Sequence, residues 1–128
     1  MGADKAQTLK ALAEAEAYPG PSIVIAYCLC INHGIKSGMN SSQKEQKKAV
    51  ECGYWSLYRY NPLLAQEGKN SFSMDSKPPT GNFREFLMNE VRFASLMKVK
   101  PDAAEELFKK TEQDAMDKLA YYQSLVSK

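Results

Sequence analysis

The chain is poor in the groups on which most enzyme sites are built. Its 128 residues hold one histidine, His33, and three cysteines, Cys28, Cys30 and Cys52. With a single histidine, no Ser/His/Asp arrangement and no Gly-rich phosphate loop, hydrolase and nucleotide chemistry have little to stand on. Three cysteines cannot pair without leaving one over, which argues against a disulfide framework and for a reducing, intracellular setting. Neither sign of charge dominates: 17 basic against 15 acidic residues give a net charge of +2, and the Lys and Arg residues are scattered. Nucleic acid is therefore not an expected partner. Long apolar runs are also missing. The longest, SIVIAYCLCI (22–31), is about half of the roughly 20 residues that a membrane span needs. The opening MGADKAQTLK has no basic segment followed by an apolar one, so a secretory signal is not expected, and Ala6 stands where a myristoylation motif requires Ser or Thr. A cytoplasmic chain without a membrane partner is the expectation.

What is present reads as an α/β arrangement. Hydrophobic residues make up 44% and charged residues 25%, an ordinary globular composition in a length that suits one domain with one core. Residues 3–18 are rich in Ala, Leu, Glu and Lys and predict a helix, with Ala6, Leu9, Ala13 and Ala17 at helical spacing and Asp4 near its start. YPGP (18–21) ends it. SIVIAYCLCI follows, β-branched and continuously apolar, the pattern of a strand buried on both faces of a parallel sheet. NHGIKSGMN (32–40) is a loop. Ser41 or Ser42 caps the next helix, with Glu45 completing a capping box and Gly53 at its C-terminal end. WSLYRYNP (55–62) predicts a strand, and a turn-rich stretch over 63–82 holds a short one at SFSMD. A helix runs from about Phe83 towards Pro101 with Phe83, Phe86, Leu87 and Val91 on one face. The last helix opens at Pro101 and Asp102, with Asp102 and Glu105 spaced as a capping box. Its stripe is Ala104, Phe108, Thr111, Ala115, Leu119, Tyr122 and Val126. A doubly covered strand needs parallel neighbours, and only one such strand is evident. On these grounds the chain reads as the tail of a larger α/β domain.

Cys28 and Cys30 would face the same side of a strand, and His33 lies just past its end, where open α/β sheets bind ligands. Two thiols and one imidazole make at most three ligands, fewer than a zinc or iron–sulfur site uses. Packing is the leading reading for each thiol, and a turn-stabilising role for His33. A thiol-redox pair is disfavoured, because positions i and i+2 of an extended strand bridge poorly. The aromatic set Tyr54, Trp55, Tyr58 and Tyr60 reads as core and interface before it reads as a stacking platform. The run KEQKK (44–48) is a solvated helix face.

As a string, EAEAYPGPSIVIAYCLCINHGI (14–35) resembles the C-terminal part of the pyruvate:ferredoxin (flavodoxin) oxidoreductases, whose pattern runs E-A-x-x-Y-x-G-P-S-[LIV]-[IV]-I-A-Y-x-x-C-I-x-H-G-I. KKAVECGYWSLYRYNP, GKNSFSMDSKPP and FREFLMNEVRFASL are similar to the family's next segments in the same order, and MGADKAQTLKAL to the stretch ahead of the Tyr-x-Gly-Pro turn. The resemblance covers essentially the whole chain, 1–128, as a single segment. It implies a helix-rich C-terminal portion of a thiamine diphosphate-binding domain, with one buried parallel-type strand and short additional strands. It also implies a parent enzyme that converts pyruvate and coenzyme A to acetyl-CoA and CO2, using thiamine diphosphate, Mg²⁺ and 4Fe–4S clusters. That parent would be a homodimer that passes electrons to ferredoxin or flavodoxin. One cluster ligand of the family, the cysteine of the x-x-C-I-x-H-G motif, falls on Cys30. The position of Cys28 usually carries a small residue, which makes Cys28 a packing substitution. The family's Gly-Asp-Gly diphosphate motif and the other cluster cysteines are not in these residues, so the isolated chain is expected to be inactive, with the rest of the polypeptide as its partner. Cut from its sheet, it should expose Ile23, Val24 and Ile25 and self-associate or rearrange. The alternative is a stand-alone interaction module that docks through the last helix and the aromatic strand.

Overall fold

The computed structural model describes residues 3–126. In chain order it runs α1 (Lys5–Ala17), a 3-10 turn (Met39–Ser41) leading into α2 (Ser42–Glu51), β1 (Tyr58–Tyr60), α3 (Leu63–Gln66), β2 (Phe72–Met74), α4 (Phe83–Asn89), α5 (Val91–Ala94), α6 (Leu96–Val99) and α7 (Pro101–Val126). Among the described residues the only sheet is the antiparallel pair β1–β2, with Tyr58 opposite Met74 and Tyr60 opposite Phe72.

The core forms where three helices meet. Phe83, Phe86 and Leu87, spaced for one helix face, point from α4 onto Ala49 and Cys52 of the α2 end and onto Ala104 and Phe108 of α7. Leu87 is wholly excluded from solvent and Phe86 nearly so. Burial of this kind stabilises by about 1.5–3 kcal/mol per large side chain. Asn82 caps α4, its side-chain oxygen accepting from the Glu85 N–H at 2.9 Å. Gly53 takes φ +82°, as a residue just past a helix end requires, and a Cβ there would meet Pro79 at 2.9 Å. The far half of α7 rests on the hairpin. Tyr122 packs on Tyr58 with ring centroids 4.8 Å apart, and Asn70 donates to the carbonyls of Leu125 and Val126. The predicted α7 stripe is the inward line as far as Tyr122, while Val126 is exposed.

Four expectations change. The helix expected from Phe83 to Pro101 breaks at Glu90, whose main chain is extended (φ −80°, ψ 118°) because it pairs with Ile35 in an isolated antiparallel bridge. Tertiary pairing overrides a continuous helical pattern there. Neither capping box forms. The Ser41 hydroxyl donates to the Gly38 carbonyl, and Glu45 is buried and accepts from Asn89. Asp102 lies inside the first turn of α7, while Glu105 pairs with Arg84. The face of α1 is also rotated from the expected one: Gln7, Thr8, Ala11, Glu14 and Ala15 turn inward, and Ala6, Leu9, Ala13 and Ala17 outward. Finally, 22–30 is extended but joins no ladder among the described residues, and Ile23 and Ile25 are 87% and 70% exposed. A strand shielded on both faces requires neighbouring strands, and these residues provide none.

The rotation of α1 follows from how it is held. No α1 residue is buried. Arg59 of β1 instead forks onto Asp75, with Nε and Nη2 at 2.8 and 3.0 Å from its two oxygens, and also pairs with Glu14 of α1. Gln7 donates to Asp75 at 3.3 Å. The anchor selects Gln7 and Glu14, and with them the inward face. A cleft of about 1250 Å³ remains between α1, the extended segment, the α2 end and the hairpin, lined in part by Leu12, Ile25, Val50 and Leu57.

Arg59→Ala should release α1 at a cost of about 1–3 kcal/mol of local stability. Hydrogen exchange over 5–17 should accelerate while the Phe86 and Leu87 amides stay protected. Arg59 holds the Asp75 carboxyl below its ordinary range. The anchor is thus at full strength at neutral pH and is lost as the pH falls below about 4; helicity in the same segment, followed by NMR, reports the loss. The double change Ile23→Thr, Ile25→Thr should reduce self-association measured by static light scattering. Unchanged association would show that the exposed segment is not what drives it.

Candidate functional site

The turn that carries Cys30 is fastened at both ends. Leu29 and Ile35 are buried on either side of it. Between them the chain reverses over 31–33, the Gly34 N–H donates to the Cys30 carbonyl at 2.9 Å, and Gly34 takes φ +72°. Beyond the turn, the Lys36 N–H donates to the Asn89 carbonyl at 2.8 Å and the Val91 N–H to the Gly34 carbonyl at 3.2 Å, which flank the Ile35–Glu90 pair. Ahead of it, the Tyr27 hydroxyl donates to Glu90 Oε1 at 2.7 Å.

Cys30 is half-buried at the head of this turn, with Sγ 3.0 Å from His33 Nδ1. The His33 ring, followed by the main-chain N–H groups of His33 and Asn32, lowers its pKa to about 7. A large share of the thiol is therefore thiolate at neutral pH, the form that binds metals and acts as a nucleophile. The other two cysteines differ in kind. Cys52 is buried with Sγ against the Ala49 carbonyl, and burial pushes its thiol up, as a packing cysteine should behave. Cys28 is exposed on the unpaired segment and touches the Leu29 carbonyl, so its expected packing role has no core to act on within the described residues. Cys30 and His33 come together, and Cys28 remains apart as a free thiol.

As a metal ligand Cys30 has the right chemistry: a sulfur with a large thiolate share at neutral pH on a fixed turn, with main-chain N–H groups of Asn32 and His33 lowering its pKa. It amounts to one ligand. Among the described residues no three His, Cys, Asp or Glu side chains gather as a metal-binding group, and no helix is long and apolar enough to cross a membrane.

Behind the turn lies a buried polar cluster that spacing did not reveal. Glu90, 2% exposed, pairs with Arg92, with Nε 2.6 Å from Oε2. Arg92 in turn donates to the Tyr54 hydroxyl at 3.1 Å. Tyr27 stacks on Trp55 at 5.3 Å, and burial first, then Glu90, pushes its hydroxyl pKa far above the usual range. Of the aromatic set read as core and interface, Tyr54 and Trp55 pack against the core, Tyr58 packs on Phe72 and Tyr122 while partly exposed, and Tyr60 is exposed on β1. The one signal of the cluster in the sequence is NEVRF, where Glu90 and Arg92 stand two apart, a spacing that no helix surface brings face to face.

Comparison with known proteins agrees with the resemblance. The chain is 58% identical over 127 residues, 99% of its length, to a pyruvate-flavodoxin oxidoreductase of Enterobacter agglomerans. It is 60% identical over 125 residues to a pyruvate:ferredoxin oxidoreductase of Moorella thermoacetica. To a pyruvate-flavodoxin oxidoreductase of Nostoc it is 44% identical over all 128 residues. It spans only 10–11% of these relatives' own lengths, and no family model matches it. The chain is thus homologous to a segment about one-tenth the length of these oxidoreductases.

Alkylation of Cys30 should follow a pH midpoint near 7, and His33→Ala should move that midpoint up towards the ordinary thiol value of about 8.5. Cys52 should stay unlabelled in both proteins until they are unfolded. Mass spectrometry of labelled peptides over pH 5–10 checks all three outcomes.

Proposed function

We propose that this chain works as one segment of a pyruvate:ferredoxin (flavodoxin) oxidoreductase, and that Cys30 provides one thiolate to the 4Fe–4S cluster nearest the thiamine diphosphate. The observation that carries the reading is the Cys30 turn: a sulfur ionised near neutral pH, 3.0 Å from an imidazole nitrogen, within the motif that resembles the family's ligand segment. The identity to pyruvate-flavodoxin and pyruvate:ferredoxin oxidoreductases over nearly the whole chain supports it.

In that setting, thiamine diphosphate with Mg²⁺ supplies the decarboxylation chemistry, clusters carry single electrons, and coenzyme A accepts the acetyl group. What these residues supply is narrower. Cys30 binds, the main-chain N–H groups of Asn32 and His33 hold its charge, and the buried pins Leu29 and Ile35 hold its direction. The remainder of the polypeptide provides the cofactor site and the other cluster ligands. The extended 22–27 segment is, on this reading, a strand of the parent's parallel sheet, and its exposed Ile23, Val24 and Ile25 are the faces that the neighbouring strands and helices cover. The segment is C-terminal in a cytoplasmic, homodimeric enzyme whose electron acceptor is ferredoxin or flavodoxin.

In the full-length enzyme, Cys30→Ser should remove the signal of one cluster and abolish pyruvate-dependent reduction of the acceptor, while thiamine diphosphate binding persists. A Cys30→Ser enzyme with every cluster signal intact would overturn the assignment. The 128-residue chain alone should show neither a stable brown chromophore nor pyruvate decarboxylation; either result would show that it is more than a segment.

A further inference from the structure

The buried Glu90 has a role that the reading above does not give it. We propose that Glu90 is a positioning residue for the Cys30 turn, holding it from both sides at once. On the upstream side its carboxylate accepts from Tyr27, three residues before Cys30, at 2.7 Å. On the downstream side its main chain pairs with Ile35, five residues after Cys30, between the Lys36–Asn89 and Val91–Gly34 hydrogen bonds. One residue thereby joins the two strands of chain that enter and leave the turn.

Three observations make this more than ordinary packing. Glu90 is where the helical course of α4 is abandoned: its extended conformation makes the pairing with Ile35 possible and leaves α5 as a single turn. A carboxylate 2% exposed to solvent is also a costly choice at a helix break, and it is retained with both oxygens engaged, one by Tyr27 and one by Arg92. Arg92 is in turn tied to Tyr54, which packs on Phe86 at 4.9 Å between ring centroids. The turn is thus referred, through Glu90, to the same aromatic core that fixes α4. Without the clamp, the pins at Leu29 and Ile35 remain, but the arm leading to Cys30 joins no ladder among the described residues and is held at Tyr27 by ring stacking on Trp55.

As far as it concerns cluster binding, this inference rests on Cys30 being a ligand; the clamp itself does not. Two experiments separate them. In the 128-residue chain, Tyr27→Phe removes one hydroxyl, and Glu90→Ala removes the carboxylate. Each should accelerate amide exchange at Gly34 and Lys36 by about tenfold, with the Cys52 amide of the core unchanged. Glu90→Gln, which can still accept from Tyr27, should recover most of the Gly34 and Lys36 protection. If Glu90→Ala does not fold, Tyr27→Phe alone decides. Unchanged exchange at Gly34 and Lys36, or an equal rise at Cys52, overturns the clamp. In the full-length enzyme, Tyr27→Phe should shift one cluster towards the three-iron form in electron paramagnetic resonance, the signature of a displaced fourth thiolate, without loss of total folded protein. If Cys30→Ser removes that cluster and Tyr27→Phe leaves its spectrum as in the wild type, the positioning role towards the cluster is overturned. If Cys30→Ser itself leaves the clusters intact, the ligand assignment falls, and the exchange data still decide the clamp.

Discussion

A carboxylate taken out of water must find charge partners and hydrogen-bond donors, because burying it unpaired is costly. At Glu90 this requirement organises the centre of the molecule. Meeting it brings Arg92 back towards α4, fixes Tyr27 against Trp55, and ends α4 at Asn89. Breaking the helix frees main-chain groups at 89 and 91, which are satisfied by 34 and 36. Loop, strand end and helix break therefore form one interlocked unit. Its interior is polar, and its outer wall is the ring cluster of Tyr54, Phe86 and Phe93.

The two halves of the chain are stabilised by different means. Around α4 the hold is apolar, with Phe86 and Leu87 sealed between α2 and α7. At the N-terminal side it is ionic: α1 buries no residue and depends on the Arg59 fork with Asp75 and Glu14. An apolar core keeps its strength across pH and salt, whereas an anchor of charges responds to both. The N-terminal helix is therefore the element most easily displaced, and the cleft beside it marks where it stands off from the body.

How much of this was legible in the sequence depended on which force set each feature. Where a single period governs, as in Phe83, Phe86 and Leu87 or the α7 stripe as far as Tyr122, the reading of faces agrees with the structure, because burial follows the 3.6-residue repeat. Gly53 was legible because a positive φ leaves few alternatives. The two short strands were placed by their composition. Features set by distant partners were not legible. The Glu90 break depends on Ile35, the face of α1 on Arg59, and Glu45 leaves its capping role for Asn89. At the site, family resemblance singled out Cys30 where spacing favoured packing for every thiol, and the structure separates the three by exposure and by their neighbours. Tyr27, Glu90 and Arg92 lie within the segments that resemble the family, but only the two-residue spacing of Glu90 and Arg92 hinted at their cluster.

The extended stretch from 22 to 27 leads towards the most reactive group of the chain. Its main-chain donors and acceptors belong to no ladder within the described residues, and side chains hold it instead: Ser22 donates to the Ala15 carbonyl, and Tyr27 stacks on Trp55 and donates to Glu90. Cys30 hangs from the end of that stretch. A half-buried sulfur with a large thiolate share at neutral pH lies open to the oxidation that begins at the thiolate. Oxidative damage to this chain would therefore begin at Cys30, while the buried Cys52, whose thiol burial pushes up, is spared.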